Sequence, residues 1–100
     1  MSLIPDTLIE AAAERFKVLS EPIRLELLNI LQEGGAMSVQ EVVERSGQRQ
    51  ANVSKHLLRM ARAGLLERRK EGVHVYYEID DPVLPGLCLL VAGQLRQEGP

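Results

Sequence analysis

The chain has 100 residues, 45% of them apolar, and a net charge of −2, which fits a single globular domain over residues 1–100. No run of about 20 apolar residues is present that could span a membrane, and the N-terminus lacks the basic start and apolar stretch of a secretory signal. A single cysteine excludes an intrachain disulfide framework, so we expect a reducing, cytoplasmic location.

Charge and aromatic content are both informative. Residues 45–75 carry eight basic and two acidic side chains, whereas residues 1–44 carry three basic and eight acidic ones. A basic middle suggests a cationic face for an anionic polymer, although chance clustering on a solvated surface explains it equally well. With only three aromatic residues the core must be aliphatic. A small aliphatic core favours dimerisation, which buries more apolar surface.

The first third of the sequence predicts two helices. Apolar residues recur at helical spacing over about residues 6–18. The segment Ser-Glu-Pro at 20–22 is typical of a helix start, in which the Ser20 hydroxyl caps the helix and the proline needs no amide. The second helix extends to about Glu33, where two glycines end it.

Two further helices joined by a tight turn follow. Ser38 and Glu41 fit a capping box, in which the serine oxygen accepts the Glu41 amide and Glu41 reaches back. The third helix covers about residues 39–45, and Ser-Gly at 46–47 ends it because glycine can adopt a positive φ. The fourth helix, over about residues 49–63, is longer and basic and has an apolar inner face.

A β-hairpin and a last helix complete the chain. Two short runs flank Glu-Gly at 71–72, and every second residue over 73–79 is apolar, as in a half-buried strand. Asp-Pro at 81–82 opens the last helix, which continues to about Gln97. The predicted fold is therefore mainly α with a small β-hairpin, in the order α-α-α-α-β-β-α of a winged helix-turn-helix.

This order of elements suits DNA. A helix fits the major groove, where side chains at its N-terminal end reach base edges, and a two-stranded wing can touch the backbone or the minor groove. Lysine and arginine on both elements neutralise phosphates and release counterions. The sequence therefore predicts double-stranded DNA as a partner.

Several short segments occur in order and at regular spacing. They are Leu-Ser-Glu-Pro-Ile-Arg-Leu at 19–25, Val-Ser-Lys-His-Leu at 53–57, Ala-Gly-Leu-Leu at 63–66, Arg-Lys-Glu-Gly at 69–72 and Val-Tyr-Tyr at 75–77. Together they resemble the signature of the ArsR/SmtB family, over nearly the whole chain. The resemblance implies a homodimeric repressor that pairs through its first and last helices and is released from its operator by an inducer, which the sequence does not identify. A two-fold dimer implies an inverted-repeat operator.

The resemblance also implies a DNA-binding surface on the fourth helix and the hairpin. Gln50 is expected to pair with an adenine edge and Ala51 to touch a thymine methyl, while the basic residues suit phosphates. For His56 the alternative is a histidine that hydrogen-bonds locally, and for His74 it is simple solvation. The predicted DNA-binding residues are Arg49, Gln50, Ala51, Asn52, Ser54, Lys55, His56, Arg59, Arg69, Lys70 and His74.

The sequence departs from the family pattern at a few positions. Arg49 stands where a serine or similar cap is usual, and Val73 replaces the usual basic residue at the tip of the wing. We therefore expect the wing to contribute less than the recognition helix. Arg24, Arg45 and Arg62 are expected to be surface charges or members of local ion pairs.

The metal sites of the family are missing from the sequence. A zinc or cadmium site needs three or four cysteine, histidine or carboxylate ligands. Residues 38–45, where the family's thiolate site lies, contain no cysteine or histidine, and residues 82–97 lack the histidines of the other common site. We therefore predict neither a metal nor a cofactor.

The last helix predicts a dimer interface. Its nearly unbroken apolar character over 83–93 exceeds what a lone outer helix can bury. Cys88 lies in this stripe with no basic side chain within one turn, which favours an inert thiol; a thiol-responsive repressor is the alternative. The predicted interface residues are Leu8, Ile9, Leu84, Leu87, Cys88, Val91 and Leu95.

Enzyme chemistry finds no support in the sequence. There is no phosphate-cradling glycine loop, and a lone cysteine without a partner base is a weak nucleophile. We therefore predict a homodimeric, sequence-specific transcriptional repressor. The alternative from another class is a winged helix that docks proteins without reading DNA, which the acidic charge balance favours and residues 50–56 disfavour.

Overall fold

The computed structural model describes residues 1–99, which form five α-helices and three β-strands. A 3-10 turn at Asp6–Leu8 leads into α1 (Ile9–Leu19), α2 (Pro22–Gly34), β1 (Met37–Ser38), α3 (Val39–Ser46) and α4 (Gln50–Arg62). The hairpin strands β2 (Leu66–Glu71) and β3 (His74–Ile79) and the last helix α5 (Leu84–Glu98) follow. The predicted mainly α fold with a hairpin is confirmed, while the predicted domain end at Pro100 lies outside the described residues.

The turn between α3 and α4 follows from local capping chemistry. Ser38 Oγ accepts the Glu41 amide, and Glu41 Oε1 accepts the Ser38 amide, both at 3.1 Å. At the other end of α3, Gly47 adopts φ 69° and its amide donates to the Val43 carbonyl at 3.0 Å. A side chain is disfavoured in this left-handed conformation, so glycine lets the chain turn sharply into α4.

The start of α2 differs from the prediction. The residue that precedes the helix is Glu21, and no side chain caps its first amides. The Ser20 hydroxyl instead donates to the Lys17 carbonyl at 2.7 Å, where it satisfies the C-terminal end of α1. Pro22 occupies the first turn of α2, as predicted.

The sheet has one strand more than predicted, in the antiparallel order β1-β3-β2. β1 has only two residues, too few to show an alternating pattern. The hairpin turn consists of Gly72, with φ 61°, and Val73, rather than of Glu71 and Gly72. Val73 therefore lies 90% exposed at the tip of the wing, whereas Tyr77 in the middle of β3 is buried, as the alternation predicts.

The core is aliphatic and draws on every helix. From α4 it takes Val53, Leu57 and Met60, none of which is exposed. Because three buried side chains fix the inner side of α4, its opposite side is held in a defined orientation toward solvent.

The N-terminal end of α5 also packs into this core. Asp81 Oδ1 accepts the Val83 amide at 2.9 Å ahead of the helix, and Asp81 Oδ2 accepts from Arg15 Nη1 at 2.8 Å. Leu84 is 2% exposed and belongs to the core. The prediction that Leu84 forms a dimer interface is therefore wrong, because its side chain is already enclosed within one protomer.

Candidate nucleic-acid interface

The N-terminal end of α4 is polar and cationic. Its exposed residues are Arg49, Gln50, Ala51 and Lys55. Four of the residues that line a shallow depression of the surface here are Arg49, Ala51, Asn52 and Lys55. A helix N-terminus carries partial positive charge on its free amides, which adds to these cations. The arrangement can accept a phosphate oxygen and present an amide side chain to a base.

Two other predicted contacts on α4 are less available. Asn52 and Ser54 are half-buried, and Asn52 Nδ2 donates to Gln48 Oε1 at 3.4 Å. Arg59 lies one turn beyond Lys55 and forms an ion pair with Glu14 of α1. This guanidinium holds the pKa of the Glu14 carboxyl below its ordinary value. Arg59 can therefore reach a phosphate only in exchange for Glu14.

His56 does not belong to this surface. The residue is 5% exposed, and its Nδ1 accepts from Arg24 Nε of α2 at 3.0 Å. The prediction that His56 faces the DNA groove is wrong. For Arg24 the predicted local ion pair is present, with Glu21 Oε2 3.5 Å from Arg24 Nη2, although the side chain is largely buried rather than at the surface. The spacing of the sequence indicates that His56 is buried, because His56 lies three residues after Val53 and four before Met60, on the buried side of α4.

The charge state of His56 follows from its surroundings. Burial, followed by the positive charges of Arg24 and Lys55, lowers the pKa of His56 below its ordinary value of 6.5, although Glu21 opposes this shift. The imidazole is therefore neutral near pH 7. A neutral, buried histidine supplies no positive charge for DNA.

The wing carries the remaining predicted contacts. Arg69 Nε lies 3.3 Å from Glu71 Oε1, and Arg69 Nη1 lies 3.4 Å from Glu78 Oε1. These two carboxylates, Glu71 first, raise the pKa of Arg69. Lys70 and His74 are exposed, and the His74 ring meets the Tyr76 ring edge-on at 6.3 Å between centroids.

The net charge of α4 differs from that of the wing. Residues 49–62 carry four basic side chains and no acidic one, whereas residues 66–79 carry three of each. The positive potential is therefore concentrated on α4.

An apolar surface on α1 and α5 lies apart from α4. Of the predicted interface residues, Leu8, Ile9, Val91 and Leu95 are 49–58% exposed, and Leu87 and Cys88 are half-buried. Other exposed apolar residues of this surface were not predicted, namely Phe16, Leu89 and Leu90, and the exposed Leu25 of α2 lines the adjoining groove. A groove of about 540 Å³ runs between α1, α2 and α5 and is lined mainly by apolar side chains. Exposed apolar surface of this extent is typical of an interface.

Residues 1–99 contain neither a membrane-spanning helix nor a metal-binding cluster. No helix in this range is long and apolar enough to cross a membrane. The same range contains no group of three or more histidine, cysteine or carboxylate side chains placed to hold a metal ion.

Comparison of the sequence with known proteins finds related regulators. The HVO_A0114 family model matches residues 18–81. The HTH-type transcriptional regulator MJ1325 of Methanocaldococcus jannaschii is 40% identical over 75 residues, which are 74% of this chain and 84% of that protein. The transcriptional repressor PagR of Bacillus anthracis is 32% identical over 83 residues, which are 83% of each protein.

Solved structures share the fold. The crystal structure of PagR has a TM-score of 0.76 at 31% identity and covers 87% of this chain and 99% of its own. The solution structure of Mb0332 from Mycobacterium bovis, a homodimeric winged helix-turn-helix DNA-binding domain, has a TM-score of 0.77 at 28% identity. It covers 92% of this chain and 87% of its own. The similarity therefore includes α4 and the wing as well as the core.

Proposed function

Because this chain belongs to the ArsR/SmtB family of winged helix-turn-helix transcriptional regulators, we propose that it is a homodimeric repressor that binds double-stranded DNA sequence-specifically. One observation carries the proposal. The exposed N-terminal end of α4 is polar and cationic, while the buried side of the same helix is fixed in the core. A rigid helix with such an end suits the major groove.

The roles of the α4 residues follow from their chemistry. Gln50 presents an amide that can pair with adenine in two hydrogen bonds, and Ala51 presents a methyl group to thymine. Arg49 and Lys55 bind phosphates of the DNA backbone. With His56 buried, the base-reading role rests chiefly on Gln50.

The remaining predicted contacts take supporting roles. Arg59 reaches phosphates by exchanging Glu14, and Asn52 and Ser54 contribute from half-buried positions. On the wing, Arg69, Lys70 and His74 contact the DNA backbone.

We further propose that the apolar surface on α1 and α5 joins two copies of the chain. Its exposed leucines, Leu89 and Leu90 among them, lose contact with water on pairing. A two-fold dimer presents two copies of α4, so the operator is an inverted repeat with half-sites about one helical turn apart. Leu87 and Cys88 pack in this interface, where Cys88 serves as an apolar side chain.

The proposed repressor acts in the cytoplasm without a metal, a cofactor or catalysis. Support comes from residue content, because residues 38–45 contain no cysteine or histidine and residues 82–97 contain no histidine.

Fluorescence anisotropy tests DNA binding directly. The protein is titrated onto its own upstream DNA and onto a scrambled duplex at several salt concentrations. We expect a preference of about 10³-fold or more for the upstream DNA. Equal, weak binding to both that disappears at physiological salt contradicts the proposal and supports a protein-docking winged helix instead.

Analytical ultracentrifugation tests the dimer. We expect Leu90→Glu to yield monomers, since a carboxylate in an apolar interface is costly to bury. Val73→Glu is the matched control, because Val73 is also exposed and apolar but lies at the tip of the wing. Stable folded wild-type monomers at nanomolar concentration, or monomers from both variants, contradict the proposed interface.

A further inference from the structure

A buried polar cluster joins three helices beneath the proposed DNA-binding surface. Arg24 Nε donates to His56 Nδ1 of α4, and Arg24 Nη1 donates to the Val18 carbonyl at the end of α1, both at 3.0 Å. Glu21 Oε2 lies 3.5 Å from both Arg24 Nη2 and His56 Nδ1. The Arg24 and His56 side chains are only 11% and 7% exposed. One guanidinium therefore ties the end of α1 and the start of α2 to the middle of α4.

The hydrogen-bond pattern determines the protonation state of His56. An arginine guanidinium has only donors, so His56 Nδ1 must be the acceptor and carry no proton. In the neutral ring the proton then lies on Nε2. The hydrogen bond between Arg24 and His56 therefore exists in only one protonation state.

We propose that Arg24 and His56 are positioning residues, whose hydrogen bond sets the rotation of α4 about its axis for DNA recognition; this rests on the proposed function. The packing of Val53, Leu57 and Met60 sets the overall orientation of α4, but apolar contacts are non-directional and tolerate small rotations of the helix. A hydrogen bond between side chains is directional and adds the constraint that these contacts lack. Neither Arg24 nor His56 touches the DNA.

The rotation of α4 matters because Gln50 reads a base by two hydrogen bonds. Such recognition needs the amide within about 0.5 Å of its place. Phosphate contacts of Lys55 are long, flexible and largely insensitive to a small rotation. Loss of the bond between Arg24 and His56 should therefore weaken binding to the operator more than binding to arbitrary DNA.

Acid pH is a natural way to break this bond. The charged groups that face His56 are Arg24 of α2, Glu21 just ahead of α2 and Lys55 of its own helix. Protonation places an N–H on Nδ1 opposite the Arg24 N–H and brings two cations together, which the half-exposed Glu21 offsets only in part. Because the pKa of His56 is lowered, the bond is intact at neutral pH and is lost as the pH falls well below 6.5.

Two substitutions separate the hydrogen bond from the bulk of the ring. His56→Asn keeps an acceptor oxygen at the place of Nδ1 that does not titrate in this range. His56→Leu keeps an apolar side chain of similar size but removes the acceptor. Both are measured by anisotropy on the upstream duplex and on the scrambled duplex between about pH 5.5 and 7.5.

The wild type should lose about tenfold in operator affinity toward the acid end, beyond any change on scrambled DNA. His56→Asn should keep most of the neutral-pH affinity and lose this acid dependence. His56→Leu should lose about tenfold on the operator at every pH, with scrambled DNA unaffected.

His74→Asn supplies a second histidine control, because His74 lies exposed on β3 and takes no part in the bond between Arg24 and His56. This variant should leave the acid-side loss of operator affinity in place. Disappearance of that loss in His74→Asn overturns the inference.

Other outcomes also overturn the inference. One is a His56→Asn variant with the wild-type acid dependence, and another is a His56→Leu variant that loses both duplexes in parallel, as a folding defect would produce.

Nitrogen NMR of the His56 ring tests the bond without DNA, and a protonated Nδ1 at pH 7 contradicts it. A wild-type protein that binds the upstream and scrambled duplexes equally overturns the proposed function and, with it, the role of Arg24 and His56 in recognition. The NMR measurement still shows in that case whether the bond between Arg24 and His56 exists.

Discussion

The N-terminal end of α4 and the wing both carry basic side chains, but in different electrostatic states. Arg49 and Lys55 on the helix are exposed and form no ion pair within residues 1–99. Arg69 on the wing is held between Glu71 and Glu78, with its guanidinium 6.0 Å from the centre of the Tyr76 ring. The helix can bind phosphates directly, whereas Arg69 must first leave two carboxylates.

The same contrast extends to the core. α4 is amphipathic and supplies fully buried side chains, while the wing contributes Tyr77 and half-buried neighbours. The helix is therefore a structural element as well as the proposed recognition element, and the wing is the proposed accessory surface. Paired substitutions on the two elements can break or sharpen this contrast.

The largest difference should concern stability. Leu57→Ala in α4 removes a fully buried side chain and should lower the free energy of unfolding by about 2–5 kcal/mol. Val75→Ala on β3 removes half-buried methyl groups and should cost about 1 kcal/mol or less. Urea unfolding followed by circular dichroism measures both. Equal losses would show that the wing is as much a part of the core as α4.

The next difference should concern DNA affinity. Lys55→Glu replaces an unpaired cation on α4 by an anion and should weaken binding to all DNA by about 100-fold at low salt. Lys70→Glu makes the same change on the wing and should cost about tenfold or less. Anisotropy on the upstream and scrambled duplexes measures the ratio. A larger effect at Lys70 would reverse the assignment of helix and wing.

Within α4 itself, base reading and phosphate binding should separate. Gln50→Ala should relax the preference at one base pair by about 1–3 kcal/mol. Lys55→Ala should weaken all sequences alike and reduce the salt dependence by about one counterion. Titration of single-base operator variants against salt distinguishes them. If both variants behave identically on specific and random DNA, α4 is not the reading helix.

The smallest expected effect is a gain on the wing. Glu78→Gln removes one carboxylate from Arg69 and should strengthen binding to all DNA about twofold at low salt, with no gain at high salt. Glu67→Gln makes the same change at an exposed β2 residue that lacks an ion pair in the described part of the chain. A gain from Glu67→Gln of the same size would show a general charge effect rather than release of Arg69.

Local chemistry was predictable from the sequence where one residue type has few alternatives. The capping box of Ser38 and Glu41 and the positive φ of Gly47 both occur as predicted. Ser20 looks equally like a cap in the sequence, yet its hydroxyl turns back to α1. A serine between two helices can satisfy either end, and only the path of the chain decides which.

A tertiary partner accounts for the wrong site prediction at His56. His56 and Arg24 each lie at helical spacing among buried apolar residues, which indicates a buried position on both helices. For His56 the family resemblance implied a DNA contact, although the helical spacing indicated a buried position. Their contact spans 32 residues of sequence, so a local pattern can show that each is buried but not that they meet. β1 was not predicted for a similar reason, because the strand with which it pairs, β3, lies about 40 residues away in the sequence.

The place of β2 in the sheet has a consequence for the behaviour of the protein at high concentration. β2 is the outer strand of the order β1-β3-β2, and its residues from Glu67 to Glu71 are all charged. An outer strand offers unpaired backbone groups on which another molecule can add a strand, and dense charge opposes that addition. The charged residues of the wing therefore oppose aggregation at high protein concentration, even though their positive and negative charges nearly cancel.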